Sequence, residues 1–288
     1  MTTESLDTLI TVDDVSDHLG DPNWVIADCR YKLSDPEAGR MAYLAAHVPG
    51  ACYVHLHDDL AGKPLTDHGR HPLPSPQALT ELFSRLGIDE SVQVVVYDQA
   101  DAGIAARLWW LLRYMGHEAV AVMDGGFRAW ESAGLATEPG PRAAAPKMFQ
   151  GQAKPDWVVT LEEVPAQACL VDARDGARYR GEKEPLDPVA GHIPGARSHP
   201  YRDNVDADGR FRSPQLLKAL FEQTLGDQAA ESAVYYCGSG VTACQLLLAA
   251  AHAGLAPGRL YAGSWSEWCA DPGRPVATGQ DPGSPLLP

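Results

Sequence analysis

The 288-residue chain reads as an α/β protein of two tandem domains, each a mostly parallel sheet flanked by helices. Three observations carry this reading. Short apolar runs alternate with helical patterns, the order of segments recurs once, and the recurring marks keep a near-constant separation of 138 to 145 residues. Those marks are Asp28 and Asp172, each followed two positions on by Arg, then His47-Val48-Pro49-Gly50-Ala51 and His192-Ile193-Pro194-Gly195-Ala196, Asp98 and Cys237, and Trp130 and Trp268. They imply duplication of one domain.

In order, Thr11 is expected to cap a helix whose early acids suit the helix dipole. Trp24 to Asp28 is apolar and expected as a strand. The Pro-Gly turn after His47 leads to a strand over Cys52 to Leu56. Ser75-Pro76 places a cap and a first-turn proline before a helix to Leu86. Val92 to Tyr97 is the most apolar strand of this half. Ile104 to Met115 is a long apolar helix, Ala119 to Met123 a strand, and Asp124 to Trp130 a turn into a short helix. In the second half Thr160 is expected to cap a helix and Cys169 to Asp172 to form a strand. Ser213-Pro214 opens a helix, Val234 to Tyr236 is a strand, and Gly240 to His252 holds a loop and a long helix. Gly263-Ser264-Trp265-Ser266-Glu267-Trp268 closes the series. Leu135 to Pro155 is rich in Pro, Gly and Ala without apolar periodicity. The expected division is 1–138, a linker at 139–156, and 157–288, with a frayed tail from Gly279.

A net charge of −15 argues against nucleic acid or an anionic membrane as partner. The acidic start, MTTESLDTLITVDDV, lacks the basic and apolar regions of a secretory signal. No apolar run approaches membrane-spanning length. Six cysteines without a CxxC pair read as reduced thiols, so a cytoplasmic location is expected.

The chemistry concentrates at Cys237-Gly238-Ser239-Gly240, where an apolar strand breaks into a glycine-rich turn and a helix follows. Backbone N–H groups and the helix dipole can converge there on a sulfur, an environment that suits a nucleophile. A buried structural cysteine beside a tight turn is the alternative. The sister loop, Asp98-Gln99-Ala100-Asp101-Ala102-Gly103, has no nucleophile and two acids that would repel an anionic substrate. One half is therefore expected to be catalytic and the other supporting. A cysteine phosphatase needs an arginine where Ala243 stands. No Gly-Lys-Ser/Thr follows as in a P-loop, and Ser239 is not spaced as in a nucleophile elbow. Cys237 and Cys244 lie seven apart with no nearby histidine pair, which disfavours zinc. A thiolate attacking a soft atom remains, and small residues with N–H donors would suit a persulfide.

The run Cys237 to Ala243, both Asp-x-Arg strand ends, both His-x-Pro-Gly-Ala turns and the Gly-Ser-Trp-Ser-Glu-Trp segment resemble the tandem-domain rhodanese-family sulfurtransferases, in particular the 3-mercaptopyruvate form. The resemblance implies two rhodanese-like domains, the first inactive. It implies that Cys237 takes a sulfane sulfur from a small-molecule donor and passes it to cyanide or a thiol such as thioredoxin, with no metal or organic cofactor. It implies Gly238, Gly240, Val241 and Thr242 as the persulfide cradle and Ser239 as a hydroxyl aiding proton movement, a turn-forming serine being the alternative. His71, in Gly69-Arg70-His71-Pro72, is implied as the partner of Ser239, with a structural loop histidine as the alternative. The acid that completes this set in some relatives would fall near Val54 to Asp59, where His55 and His57 precede Asp58 and Asp59. Arg178 is implied to hold a substrate carboxylate, against a surface ion pair with Glu182 or Glu184. Where some relatives carry a second arginine, this chain has Leu186-Asp187-Pro188. The cysteine loop holds no Lys or Arg, which suits monoanionic 3-mercaptopyruvate better than dianionic thiosulfate. Thiosulfate as main donor is the second reading, and a non-catalytic persulfide carrier or binding module the third. Trp265, Trp268 and Cys244 are expected to pack in the core.

Overall fold

The computed structural model describes residues 6–63 and 69–286. By contact the chain forms two compact units. The first comprises residues up to Gly62, Pro74–Lys154 and Val205–Phe211; the second comprises Lys63–Leu73, Pro155–Asn204 and the chain from Arg212 onward.

The first unit runs β1 (Leu9–Ile10), α1 (Val12–Asp17), β2 (Trp24–Asp28), α2 (Ala38–Ala45), β3 (Cys52–Tyr53), α3 (Pro76–Arg85), β4 (Gln93–Tyr97), α4 (Ala105–Tyr114), β5 (Val120–Met123) and α5 (Gly126–Ser132). Its sheet has the order β1-β5-β4-β2-β3, and every pairing is parallel. The second unit runs β6 (Leu170–Asp172), α6 (Gly176–Tyr179), β7 (Arg197–Ser198), α7 (Pro214–Leu225), β8 (Val234–Tyr236), α8 (Ala243–His252), β9 (Arg259–Leu260) and α9 (Ser264–Trp268). Its order, β7-β6-β8-β9, is extended past β9 by a parallel bridge from Val158 to Leu260, so the two sheets have one topology. Parallel strands covered on both faces need continuous apolar runs, and Val94-Val95-Val96 and Val234-Tyr235-Tyr236 are fully buried.

The recurring motifs are scaffold. Arg30 grips Asp28 through Nε and Nη2, and Arg174 grips Asp172 likewise. A buried carboxylate is tolerable only when paired and hydrogen-bonded. Each arginine therefore also donates to a carbonyl, Ala46 or Gly191, and stacks over a ring, Phe127 or Trp265. His47 and His192 bond the carbonyls of Tyr43 and Tyr179 and stack on those rings at 4.1 and 3.7 Å.

Several expectations are corrected. The strand expected over Cys52 to Leu56 ends at Tyr53, because it pairs only with the end of β2 and the chain then turns, His55 N donating to Asp59. Thr160 caps no α-helix. Pro165 has no N–H to carry the ladder on from Val164, and only a 3₁₀ turn, Val164–Ala166, forms. The tail is not frayed up to residue 286: Gly279 N donates to Arg180 O, Gly195 N donates to Pro282 O, and Leu286 packs on the second core. Helix α2 carries no cap signal and contains Gly39, whose Cβ would lie 1.9 Å from Arg30 O. Residues 139–154 run along the first unit, Lys147 N and Phe149 N bonding Ser84 and Lys154 N bonding Tyr114 O.

Candidate active site

Strand β8 delivers Cys237 to its carboxyl end. Tyr236 O accepts from Ala173 N, so the strand is held up to its last residue. Beyond it the chain turns through Gly240 at φ +73 into α8. A side chain at Gly240 is excluded twice, by that φ and by Ala262 O at 2.3 Å from the Cβ position. Val241 is buried, and the carbonyls of Val241 and Thr242 accept from Cys244 and Gln245 as the helix begins. Cys237, Gly238 and Ser239 are buried, Cys237 to 2% exposure.

Cys237 is fastened to α9 by three bonds. Its carbonyl accepts from Trp265 N, the Gly238 carbonyl accepts from Ser266 N, and its own N–H donates to Ser264 Oγ at 3.1 Å. Ser264 is fully buried, lies at φ +57 and donates a hydrogen bond from its hydroxyl to Tyr261 O. Trp265 and Trp268 pack in the core as expected, each indole N–H donating to a carbonyl. Cys244 is buried with Sγ on Gly240 O at 3.4 Å.

His71 and Ser239, 168 positions apart, are joined at 2.7 Å between Nδ1 and Oγ, and both are buried. Gly69 and Arg70 hold this histidine in place. Gly69 lies at φ +74 with its Cβ position 2.6 Å from Gly263 O, and Arg70 N donates to Ser266 Oγ.

Arg178, on α6, bonds Glu184 through Nε at 3.0 Å and Nη2 at 2.8 Å, and reaches Asp187 at 3.2 Å. The pair with Glu184 is buried, both carboxylates being 3% exposed, so it is not a surface contact; Glu182 pairs with Arg180 instead. Glu184 also accepts from Arg174, Leu186 N and Asp187 N. Burial pushes the Asp187 carboxyl above its ordinary range, Arg70 opposing.

Three contributors escape a linear reading. Arg70 pairs with Asp187, and its Nη2 lies 2.9 Å from the Cβ position of Gly238, beside Arg178 Nη1 at 3.3 Å. Glycine at 238 is therefore explained by two guanidiniums resting on it, not by its φ. Asp187, in Leu186-Asp187-Pro188, anchors Arg70 and reaches Arg178, which Glu184 holds by two bonds. Ser264 is the third. Only the charged residue inside Gly69-Arg70-His71 hinted at the first.

The first unit carries a turn at the matching place, one residue longer and with Ala102 at φ +58 as its left-handed residue. Asp98 Oδ1 accepts from Ala100 N and Ala102 N, and Oδ2 from Ile104 N and Ala105 N, at 2.8 to 3.2 Å. Burial foremost, then Asp101, pushes this carboxyl up to about 6 against those N–H groups.

Two parallel sheets of one order, a glycine turn bearing a cysteine in one and an aspartate in the other, define a tandem α/β protein with one candidate nucleophile. The rhodanese-like domain model matches residues 11–133 and 154–271, and the chain belongs to that family. A Pseudomonas aeruginosa protein named probable 3-mercaptopyruvate sulfurtransferase is 44% identical over 282 residues, 94% of this chain and 98% of that one. A Mycobacterium tuberculosis protein carrying a thiosulfate sulfurtransferase name is 41% identical over 266 residues, 90% of this chain and 92% of that one. The solved 3-mercaptopyruvate sulfurtransferase from Leishmania major superposes with a TM-score of 0.81 at 32% identity, covering 91% of this chain and 74% of that one. The chain is a sulfurtransferase, an enzyme of the transferase class. Among the described residues no helix is long and apolar enough to cross a membrane, and no cluster of three or more His, Cys, Asp or Glu could hold a metal.

Proposed function

We propose that Cys237 is the sulfur-accepting nucleophile and that the donor is 3-mercaptopyruvate. One observation supports this most. The turn that closes four N–H groups onto Asp98 in the first unit has a counterpart after β8, one residue shorter, that turns at Gly240 into α8 and starts with a sulfur. N–H groups so arranged stabilise an anion as it forms, here the outer sulfur of a persulfide. The Cys237 thiolate attacks the donor's thiol sulfur, the carbon–sulfur bond breaks, and its electron pair becomes the enolate of pyruvate. The hydrogen-bonded Ser239 and His71 supply a proton path for that enolate. Cyanide or a thiol such as thioredoxin then attacks the outer sulfur and returns Cys237 as thiolate. Gly238, Gly240, Val241 and Thr242 form the cradle, and Arg178 faces the donor carboxylate. A cytoplasmic setting fits six cysteines of which none is in a disulfide.

Cyanide-dependent turnover with 3-mercaptopyruvate and with thiosulfate, wild type beside Cys237→Ser, tests this. The expected result is preference for 3-mercaptopyruvate and loss of turnover in the variant. Preference for thiosulfate would overturn the donor, and an active Cys237→Ser the nucleophile. A stable persulfide without turnover would favour a carrier.

A further inference from the structure

The first half of the chain contributes a guanidinium to the cysteine loop through residues 69–73, which group with the second unit. Arg70 is fixed at its backbone by Ser266 and at its tip by Asp187. Its Nε is buried and has no hydrogen-bond partner among the described residues, although its Nη1 is committed to Asp187. A buried N–H donor without an acceptor costs about 1–3 kcal/mol, so such a group marks a place where an acceptor is wanted. Its other edge, Nη2, lies over Gly238, next to the nucleophile and beside Nη1 and Nη2 of Arg178 at 3.3 and 3.4 Å from the same point.

Charge shapes what can bind. Arg70 and Arg178 are balanced by Asp187 and Glu184, both nearly fully buried. A balanced cluster has no excess charge to draw in a dianion, but its arginines retain donor edges. Planar guanidinium edges match the planar oxygens of a carboxylate.

We propose that Arg70 is a specificity-determining residue that, with Arg178, grips the carboxylate of a monoanionic 2-oxo acid donor above Gly238. Arg70 thereby fills the role of a second arginine absent from Leu186-Asp187-Pro188, and Asp187 holds it ready. This rests on Cys237 as nucleophile and 3-mercaptopyruvate as donor.

The test compares kcat/KM for 3-mercaptopyruvate with that for 1-mercaptopropan-2-one, which has a methyl group in place of the carboxylate, with cyanide as acceptor. In Arg70→Ala the ratio of the two falls about 10- to 100-fold, the size of a lost charge-assisted hydrogen bond, and the loss lies in KM for 3-mercaptopyruvate. Arg70→Lys keeps the charge and the Asp187 pair but lacks Nε–H and the fork, so its ratio also falls. An unchanged ratio in both variants, or a fall equal for both donors, overturns the proposal, because either outcome makes Arg70 a structural strut. Failure of the parent reading looks different: wild type then turns over no 3-mercaptopyruvate, or Cys237→Ser turns it over.

Discussion

The turn after β4 and the turn after β8 occupy matching places, yet one starts with a carboxylate and the other with a sulfur. In the first, Asp98 brings its own anion and uses four backbone N–H groups to hold it. In the second, the corresponding side chain is a thiol. The partner helices differ in a matching way. Phe127 N and Arg128 N donate to the carbonyls of Asp98 and Gln99 as Trp265 N and Ser266 N donate to those of Cys237 and Gly238. Preceding these, Gly126 at φ +58 corresponds to Ser264 at φ +57. The same left-handed backbone is thus carried by glycine in one unit and by a serine, at a steric cost of about 1–2 kcal/mol, in the other. Ser264 keeps a hydroxyl there, and that hydroxyl takes the N–H of Cys237. Duplication kept the place of the turn and its two backbone fastenings; what diverged is the side chain at its start, with it the anion the turn is proposed to receive, and the hydroxyl that takes the N–H of that first residue.

The largest effect tests which anion. Cys237→Ser is expected to lose about a thousandfold or more in turnover. Cys237→Asp copies the first unit: turnover is lost equally, and the melting temperature is no lower than that of Cys237→Ser, because the carboxylate takes up the N–H groups. A clear drop in the aspartate variant alone would show that the two turns are not equivalent receptors.

Asp98→Ala asks the converse. It leaves four N–H groups without their acceptor, those of Ala102 and Ala105 buried, and is expected to destabilise the chain by about 2–4 kcal/mol in urea unfolding. A loss below roughly 0.5 kcal/mol would mean that water serves those groups as well as the carboxylate does.

The glycine–serine exchange works in both directions. Gly126→Ser would bring a Cβ to 2.6 Å from Asp98 O and 2.8 Å from Ala100 N, and is expected to cost about 2–3 kcal/mol. Ser264→Gly relieves the left-handed strain but orphans Cys237 N–H, so its melting temperature is expected to stay near wild type while turnover falls about tenfold. Wild-type turnover in Ser264→Gly would reduce the serine to a filler.

Much of this contrast was legible in the residues. The duplication follows from Asp-x-Arg, His-x-Pro-Gly-Ala and the tryptophans, because each mark is scaffold that any copy of the domain needs. Cys237 was legible by its absence from the sister turn. His71 and Ser239 came from resemblance, and the structure joins them at 2.7 Å. Arg70 was not legible, since nothing local tells a loop arginine that position 238 is its neighbour. Asp187 was read as a gap where a positive charge was missing, when it is the counter-ion that positions one. The helix expected after Thr160 failed at Pro165, a local breaker, and the strand expected to Leu56 failed after Tyr53, where its pairing partner ends.

A last effect, graded by pH, concerns the balance at Asp98 itself. Burial and Asp101 raise its carboxyl to about 6 in the folded chain, against an unfolded value near ~3.9. Between those values the native state holds a proton that the unfolded chain has released, so stability contributed at this position falls as pH rises from about 4 to about 6. Below that window both states are protonated, and above it both are ionised, so the contribution is flat on either side. Asp98→Asn removes the titration. The stability of wild type relative to Asp98→Asn is therefore expected to shrink across pH 4 to 6, by at most ~3 kcal/mol, and to level off above 6. Urea unfolding of both proteins from pH 4.5 to 7.5 measures it. A difference that grows with pH would show that the four N–H groups outweigh burial, and that the first unit holds its anion as firmly as the second is proposed to hold a persulfide.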